Sequence, residues 1–213
     1  MPVEVELKFR AAGEEPLRRL AQTPSLADAE LGPPVTYDEL DRYLDTDDGR
    51  MAAARWACRL RTRAGVTRLS MKGPPEGAAT TSVHRRPELE GPATDEPEPA
   101  RWPASAARDL LDRLRGERAL RERFRLRQRR TERPVIRAGT PLGTLSLDRV
   151  EVEADNERLG ILQAVELELH AAGPDAADAA RLADLAAALA AIDGLEPERR
   201  TKLEHALDLL DRR

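Results

Sequence analysis

Val3-Glu4-Val5-Glu6-Leu7-Lys8-Phe9-Arg10 alternates without a break. Val3, Val5, Leu7 and Phe9 share one parity, and Glu4, Glu6, Lys8 and Arg10 the other. Successive side chains of an extended chain point to opposite faces, so this stretch predicts a strand with one apolar and one charged face. The habit recurs. Arg59, Arg61 and Arg63 alternate with Leu60 and Thr62, Ser70 and Lys72 with Leu69 and Met71, and Glu88 and Glu90 flank Leu89. Arg125, Arg127 and Arg129 alternate with Phe124, Leu126 and Gln128; Asp148 follows Leu145 and Leu147; Glu166 and Glu168 sit among Val165, Leu167 and Leu169. One such strand fits a half-exposed antiparallel sheet. A whole series, some cation-only and some acid-only, points to a sheet closed on itself with its charges inward. The expected fold is α+β: a closed antiparallel eight-stranded β-barrel with helices packed on the outside.

Helical patterns run over Pro16–Gln22, Ala104–Arg115, Asp175–Ile192 and Pro197–Leu210, the last two forming a C-terminal helical segment over about 175–213. Gly73–Ser82 and Gly91–Ala104 are rich in Gly and Pro and read as long loops, the second carrying Trp102. No internal repeat is visible, and residues 1–213 read as a single domain.

The 35 basic and 39 acidic residues nearly balance, which argues against a nucleic-acid partner, since that would need a basic excess. The arginine-dense stretch from Arg118 to Arg133 lacks the aromatic partners that stack bases. The lone Cys58 excludes an intramolecular disulfide, suits a reducing cytoplasm and is expected to pack. Glu4 and Glu6 break any leader-like run near Met1, and no stretch approaches the roughly 18 apolar residues of a membrane span. A soluble, cytoplasmic protein without a membrane partner is expected. His84, His170 and His205 lack ligand-like spacing and are expected on the surface.

The charged parities suggest a chemistry. Glu4/Glu6 and Glu166/Glu168 each place two carboxylates on one face, as hard cations such as Mg²⁺ or Mn²⁺ require. Arginine forks at Arg59, Arg61, Arg127 and Arg129 suit phosphate oxygens, and Lys8 and Lys72 add point charges. Such a lumen suits a small polyanion with divalent metal.

Glu4-Val5-Glu6-Leu7-Lys8 matches the ExExK signature of the CYTH family, a branch of the triphosphate tunnel metalloenzymes that includes class IV adenylate cyclases and thiamine triphosphatases. Its sequels follow in order. Tyr43-Leu44-Asp45-Thr46 resembles the YxDT element, Cys58-Arg59-Leu60-Arg61 the LRxR strand and Leu69-Ser70-Met71-Lys72 the TxK strand. Arg86-Pro87-Glu88-Leu89-Glu90 resembles RxExE, Leu147-Asp148-Arg149-Val150 LDxV, Val165-Glu166-Leu167-Glu168 the late ExE strand and Thr201-Lys202 a C-terminal Ser-Lys. The resemblance implies Glu4, Glu6, Asp148, Glu166 and Glu168 as metal ligands. It implies a substrate grip from Lys8, Arg59, Arg61, Lys72, Arg127, Arg129 and Lys202. Glu6, Glu168 and Tyr43 would be catalytic, Tyr43 as a proton acceptor beside Lys72, and Arg10, Asp45, Glu88 and Glu90 would line the tunnel.

Thr144 and Ser146 stand where relatives often carry a further acid, so one tightly held ion is expected. In the arginine run, parity favours Arg127 and Arg129, whereas a bulge would bring in Arg130. The implied activity is metal-dependent hydrolysis of a triphosphate. Inorganic triphosphate is favoured because two Trp, two Tyr and two Phe leave little to stack a base. Of these, Phe9 and Phe124 take outward parity and Trp56 is out of phase with Arg59. Adenylate cyclase, thiamine triphosphatase and a non-catalytic polyphosphate- or nucleotide-binding module are the alternatives.

Overall fold

In the computed structural model, which describes residues 1–75, 82–170 and 176–213, the alternating segments become long antiparallel strands. In chain order the strands are β1 (Val3–Ala11), β2 (Ser25–Leu26), β3 (Ala29–Leu31), β4 (Val35–Thr46), β5 (Ala57–Arg63) and β6 (Val66–Lys72). They continue with β7 (Val83–Pro92), β8 (Leu120–Arg137), β9 (Thr140–Ala154), β10 (Glu157–Leu169) and β11 (Leu195–Pro197). The helices are α1 (Glu14–Gln22), α2 (Arg50–Ala53), α3 (Ala106–Arg115), α4 (Ala176–Ala190) and α5 (Lys202–Asp211). Strands β8-β4-β5-β6-β7-β1-β10-β9 neighbour one another in that order, and β8 pairs with β9 to close an eight-stranded barrel. The β2–β3 hairpin extends from β8, and β11 from the end of β1. No helix among the described residues is long and apolar enough to cross a membrane.

Apolar side chains of the barrel's outer face meet the helices. Val5, Leu7, Phe9, Leu145, Leu147, Val165 and Leu167 pack with Leu20 of α1 and Leu182, Leu185 and Leu189 of α4. On the other flank Leu60, Leu69 and Met71 pack with Ala107 and Leu111 of α3, and Trp102 is buried among them, 2% exposed. The Gly91–Ala104 stretch is therefore an ordered strap, pinned by Trp102 Nε1 donating to the Glu96 carbonyl at 3.0 Å. Residues 76–81 of the other expected loop, and Asp175 at the start of the expected helix, lie outside the described residues.

One end of the barrel breaks the charges-inward rule. Arg130 and Asp148 share inner parity with Leu126 and Val152, which are fully buried and pack with Phe124, Val150 and α5 residues Leu203, Ala206 and Leu209. Helix α5 thus lies across an apolar end, while the lumen beyond it is charged. This reverses the expected parity of β8. Phe124 stacks on Tyr43 with ring centroids 4.7 Å apart, so its parity faces inward, and a bulge shifts the β4–β8 register between Tyr43 and Leu44. Arg127 and Arg129 consequently point outside; Arg127 pairs with exposed-face Glu153 at 2.9 Å, and Arg130 takes the inner place.

Candidate active site

The lumen encloses a cavity of about 530 Å³, lined among the described residues by seven basic side chains. They are Lys8, Arg59, Arg61, Lys72, Arg86, Arg130 and Lys202, facing carboxylates from Glu4, Glu6, Glu88, Glu90, Glu166 and Glu168. On β1 the two acids and the lysine fall on one face by strand periodicity, and β10 brings Glu168 opposite Glu6 and Glu166 opposite Lys8. Glu4 accepts from Lys72 Nζ at 2.6 Å and Arg86 Nε at 2.9 Å; Glu6 accepts from Arg86 Nη2 at 3.0 Å and lies 2.8 Å from Lys8 Nζ. Burial would raise the Glu4 carboxyl, but Lys72, Arg86 and Lys8 outweigh it and hold it well below the usual carboxylate range. Burial and the like charge of Arg86 depress Lys72, whereas Glu166 and Glu6 overcome burial and raise Lys8.

A second cluster joins β8, β9, β10 and α5. Arg130 donates Nε and Nη2 to the two Asp148 oxygens, both at 2.7 Å, and Nη2 reaches Glu166 at 3.0 Å. Lys202, at the first position of α5, adds contacts of 2.6 Å to Asp148 and 2.8 Å to Glu166. Its entry is fixed by a capping box between Thr201 and Glu204. These cations, together with Lys8 at Glu166, outweigh burial and keep both acids ionised. Asp148, 0% exposed, is thereby enclosed by two cations rather than open to a ligand.

A third cluster uses β4 and β5. Asp41 receives Arg61 through two bonds of 2.7 Å, and Glu39 holds Arg63, which also pairs with Glu132. Tyr43, from the same face of β4, lines the cavity; burial pushes its phenol up, so the hydroxyl stays protonated and can donate.

Glu168 differs from the other acids. It stands in the open part of the lumen, and no ion pair to it is found among the described residues. Partial burial, then the nearby Glu4, Glu6 and Glu88 carboxylates, push it up to about 7 despite Lys72. That surplus of negative charge fits a hard divalent cation completed by substrate oxygens, such as Mg²⁺ or Mn²⁺. Among the described residues no group of three or more His, Cys, Asp or Glu side chains is placed close enough to hold a metal ion as it stands, so binding one requires Glu4 and Glu6 to leave their cation partners.

Several expected lining residues lie elsewhere. Arg10 keeps the parity of Lys8 but lies past the end of the cavity, exposed and paired with Glu196 of β11. Asp45 accepts the backbone N–H groups of Thr46, Met51 and Ala52, so its charge serves the start of α2 and not the tunnel. Arg127 and Arg129 sit outside for the parity reason given above. His84 is buried at 5% exposure, its Nε2 within 3.0 Å of the Glu198 carbonyl, rather than on the surface. Lys8, Arg59, Arg61, Lys72, Lys202, Glu4, Glu6, Glu88, Glu90, Glu166, Glu168 and Tyr43 do meet in one cavity. Sequence reasoning missed Arg86, Asp41 and Glu39 as site residues, and offered Arg130 only as the alternative to Arg127 and Arg129. Arg86 was legible two residues before Glu88, and Glu39 and Asp41 by sharing the parity of Tyr43.

A neighbouring cavity of about 480 Å³ shares Tyr43, Ala57, Lys72, Arg86, Thr201 and Leu203 with the tunnel and is walled by Trp56, Phe124, Met51, Pro74 and Leu207. The tunnel therefore has aromatic neighbours, contrary to the parity argument for Phe124 and Trp56.

A closed barrel whose lumen brings paired acids against basic side chains is a charged tunnel. The chain belongs to the CYTH domain family, which matches residues 2–205. Among solved structures it resembles a candidate adenylyl cyclase from Hippeastrum described as having a dominant triphosphatase activity, at 17% identity and TM-score 0.64, over 96% of this chain and 95% of that one. A candidate adenylate cyclase from Bacillus halodurans aligns at 17% identity and TM-score 0.60, over 96% and 98%. The Mimivirus capping enzyme triphosphatase aligns at 10% identity and TM-score 0.52, over 87% and 89%. At these identities the likeness is one of fold. No curated protein matches the sequence.

Proposed function

We propose that this protein hydrolyses a triphosphate, inorganic triphosphate first, with a divalent metal such as Mg²⁺ or Mn²⁺. The observation that carries the reading is the enclosed lumen in which seven basic side chains meet the carboxylates of Glu4, Glu6, Glu88 and Glu168. When bound, the metal would be held by Glu4, Glu6 and Glu168 and would supply charge neutralisation and Lewis acidity at a phosphate oxygen. Lys8, Lys72, Arg59, Arg86 and Arg130 would fix the chain of phosphates and offset the charge that gathers on the transferred group. Water attacks the terminal phosphorus; its P–O bond forms as the bridging P–O bond breaks, giving phosphate and pyrophosphate. Glu168 would act through the metal it holds, the proton of the attacking water would pass to a phosphate oxygen, and Tyr43, held protonated, would orient an oxygen by donating to it.

The neighbouring cavity favours a second reading, in which an organic group on the triphosphate rests against Trp56 and Phe124. Side-by-side kinetics on inorganic triphosphate, ATP and thiamine triphosphate, with cyclic AMP assayed alongside phosphate, test both. A higher kcat/KM for triphosphate supports the first reading. A preference for an organic triphosphate replaces it with the second, cyclic AMP formation replaces hydrolysis with cyclisation, and binding without turnover of any substrate ends the catalytic proposal.

A further inference from the structure

We infer that Asp41 is a positioning residue that reserves Arg61 for the barrel wall and leaves Arg59 as the arginine that turns to the phosphate. The inference rests on the triphosphate reading above. It starts from two arginines on one face of β5 that are held very differently. Arg61 gives its side-on fork to Asp41 through Nε and Nη2, both at 2.7 Å, and its Nε also lies 3.4 Å from Glu39. Arg59 reaches Asp41 and the Ser70 hydroxyl only at 3.3 Å each, and its Nε is buried with no acceptor among the described residues. An arginine already paired in a short bidentate geometry gains little by exchanging carboxylate for phosphate. An under-satisfied buried guanidinium gains a full charge-assisted contact.

Asp41 creates the difference. It is 0% exposed, beyond the reach of metal or substrate, and Gln128 Nε2 holds its Oδ2 at 2.7 Å. Burial would raise its carboxyl, but Arg61 and Arg59 hold it well below the usual range, so it keeps its charge at any working pH. With Asp41 removed, Arg61 would lose its fork partner and become free to face the lumen.

The test is calorimetric titration of inorganic triphosphate into metal-free protein in EDTA, with melting temperature as a control of folding. Arg59→Met should weaken binding about ten- to a hundred-fold, the range of a charge-assisted contact, while Arg61→Met should change it by less than about threefold. In the Asp41→Asn background, Arg61→Met should weaken binding by about tenfold, since the released arginine now serves the anion. A merely structural Asp41 would lower the melting temperature without changing what Arg61→Met does to affinity. Equal losses for Arg59→Met and Arg61→Met in the wild-type background overturn the inference, and that comparison decides alone if Asp41→Asn does not fold. A wild-type protein that binds no triphosphate would instead remove the functional reading on which it rests.

Discussion

Glu168 and Glu6 face each other across the β1–β10 pair, yet their surroundings differ. Glu6 is held by Arg86 and Lys8, whereas Glu168 is crowded by acids and raised to about 7. In the metal-free protein the folded state keeps a proton on Glu168 that the unfolded chain has released above about pH 4.5. Its stabilising share is therefore complete below that value and lost as pH rises through about 7. Thermal melts of metal-free protein should show this loss, and Glu168→Gln should abolish it. Metal binding needs the carboxylate, so Mg²⁺ or Mn²⁺ affinity should rise from about pH 6 to about pH 8 in the wild type and stay flat in Glu168→Gln. A wild-type profile as flat as the variant's would contradict the placement of Glu168 at the metal. Glu6→Ala should remove turnover while circular dichroism stays native, because Arg86 retains Glu4 as a partner. Residual hydrolysis near the wild-type rate would mean that Glu6 only pairs cations.

At the scale of elements, β1 was legible from Glu4 to Phe9 because both faces of that stretch are uniform, one packed by α1 and α4 and the other lining the lumen; only Arg10, beside β11, falls outside it. Strand β8 was not. Its inner face changes character along its length, from Phe124 and Leu126 under α5 to Arg130 in the lumen, and no parity rule that equates apolar with outward survives that change. The missing information was the position of α5, a tertiary fact. Arg133 shows the same limit. It reads as one more arginine of the run, but it donates to the carbonyls of Leu20, Thr23, Leu31 and Gly32, tying the end of α1 and the β3 loop to β8. Arg133→Met would leave buried acceptors unsatisfied and should cost roughly 3 kcal/mol or more in urea unfolding. Loss of less than about 1 kcal/mol would show that water replaces it. Thr201→Ala removes the cap of α5 and should cost about 1 kcal/mol, with unchanged unfolding telling against the capping role.

For the whole molecule, the order of charged strands around the barrel puts opposite signs beside each other. Lys72 meets Glu88 and Glu4, Arg86 meets Glu4 and Glu6, and Lys202 and Arg130 meet Asp148 and Glu166. Taking these charges from water is costly, and their mutual pairing offsets that cost only while the lumen is empty of ligand. On the proposed reading, a triphosphate would draw cations of the open lumen such as Lys72 and Arg86 from their partners, and a divalent metal would then take the carboxylates so released. The closed barrel was readable from alternation alone, since mixed charges repeated on many strands need an enclosed interior. The substrate was not, because the cavity beside Trp56 is built by α2, α5 and the turn after β6 coming together in space. The most direct test of the central claim is phosphate release from inorganic triphosphate by the purified protein, with Mg²⁺ or Mn²⁺ and again in excess EDTA. The account predicts release with metal, none in EDTA and full recovery when metal is restored; hydrolysis that persists undiminished in EDTA would contradict it.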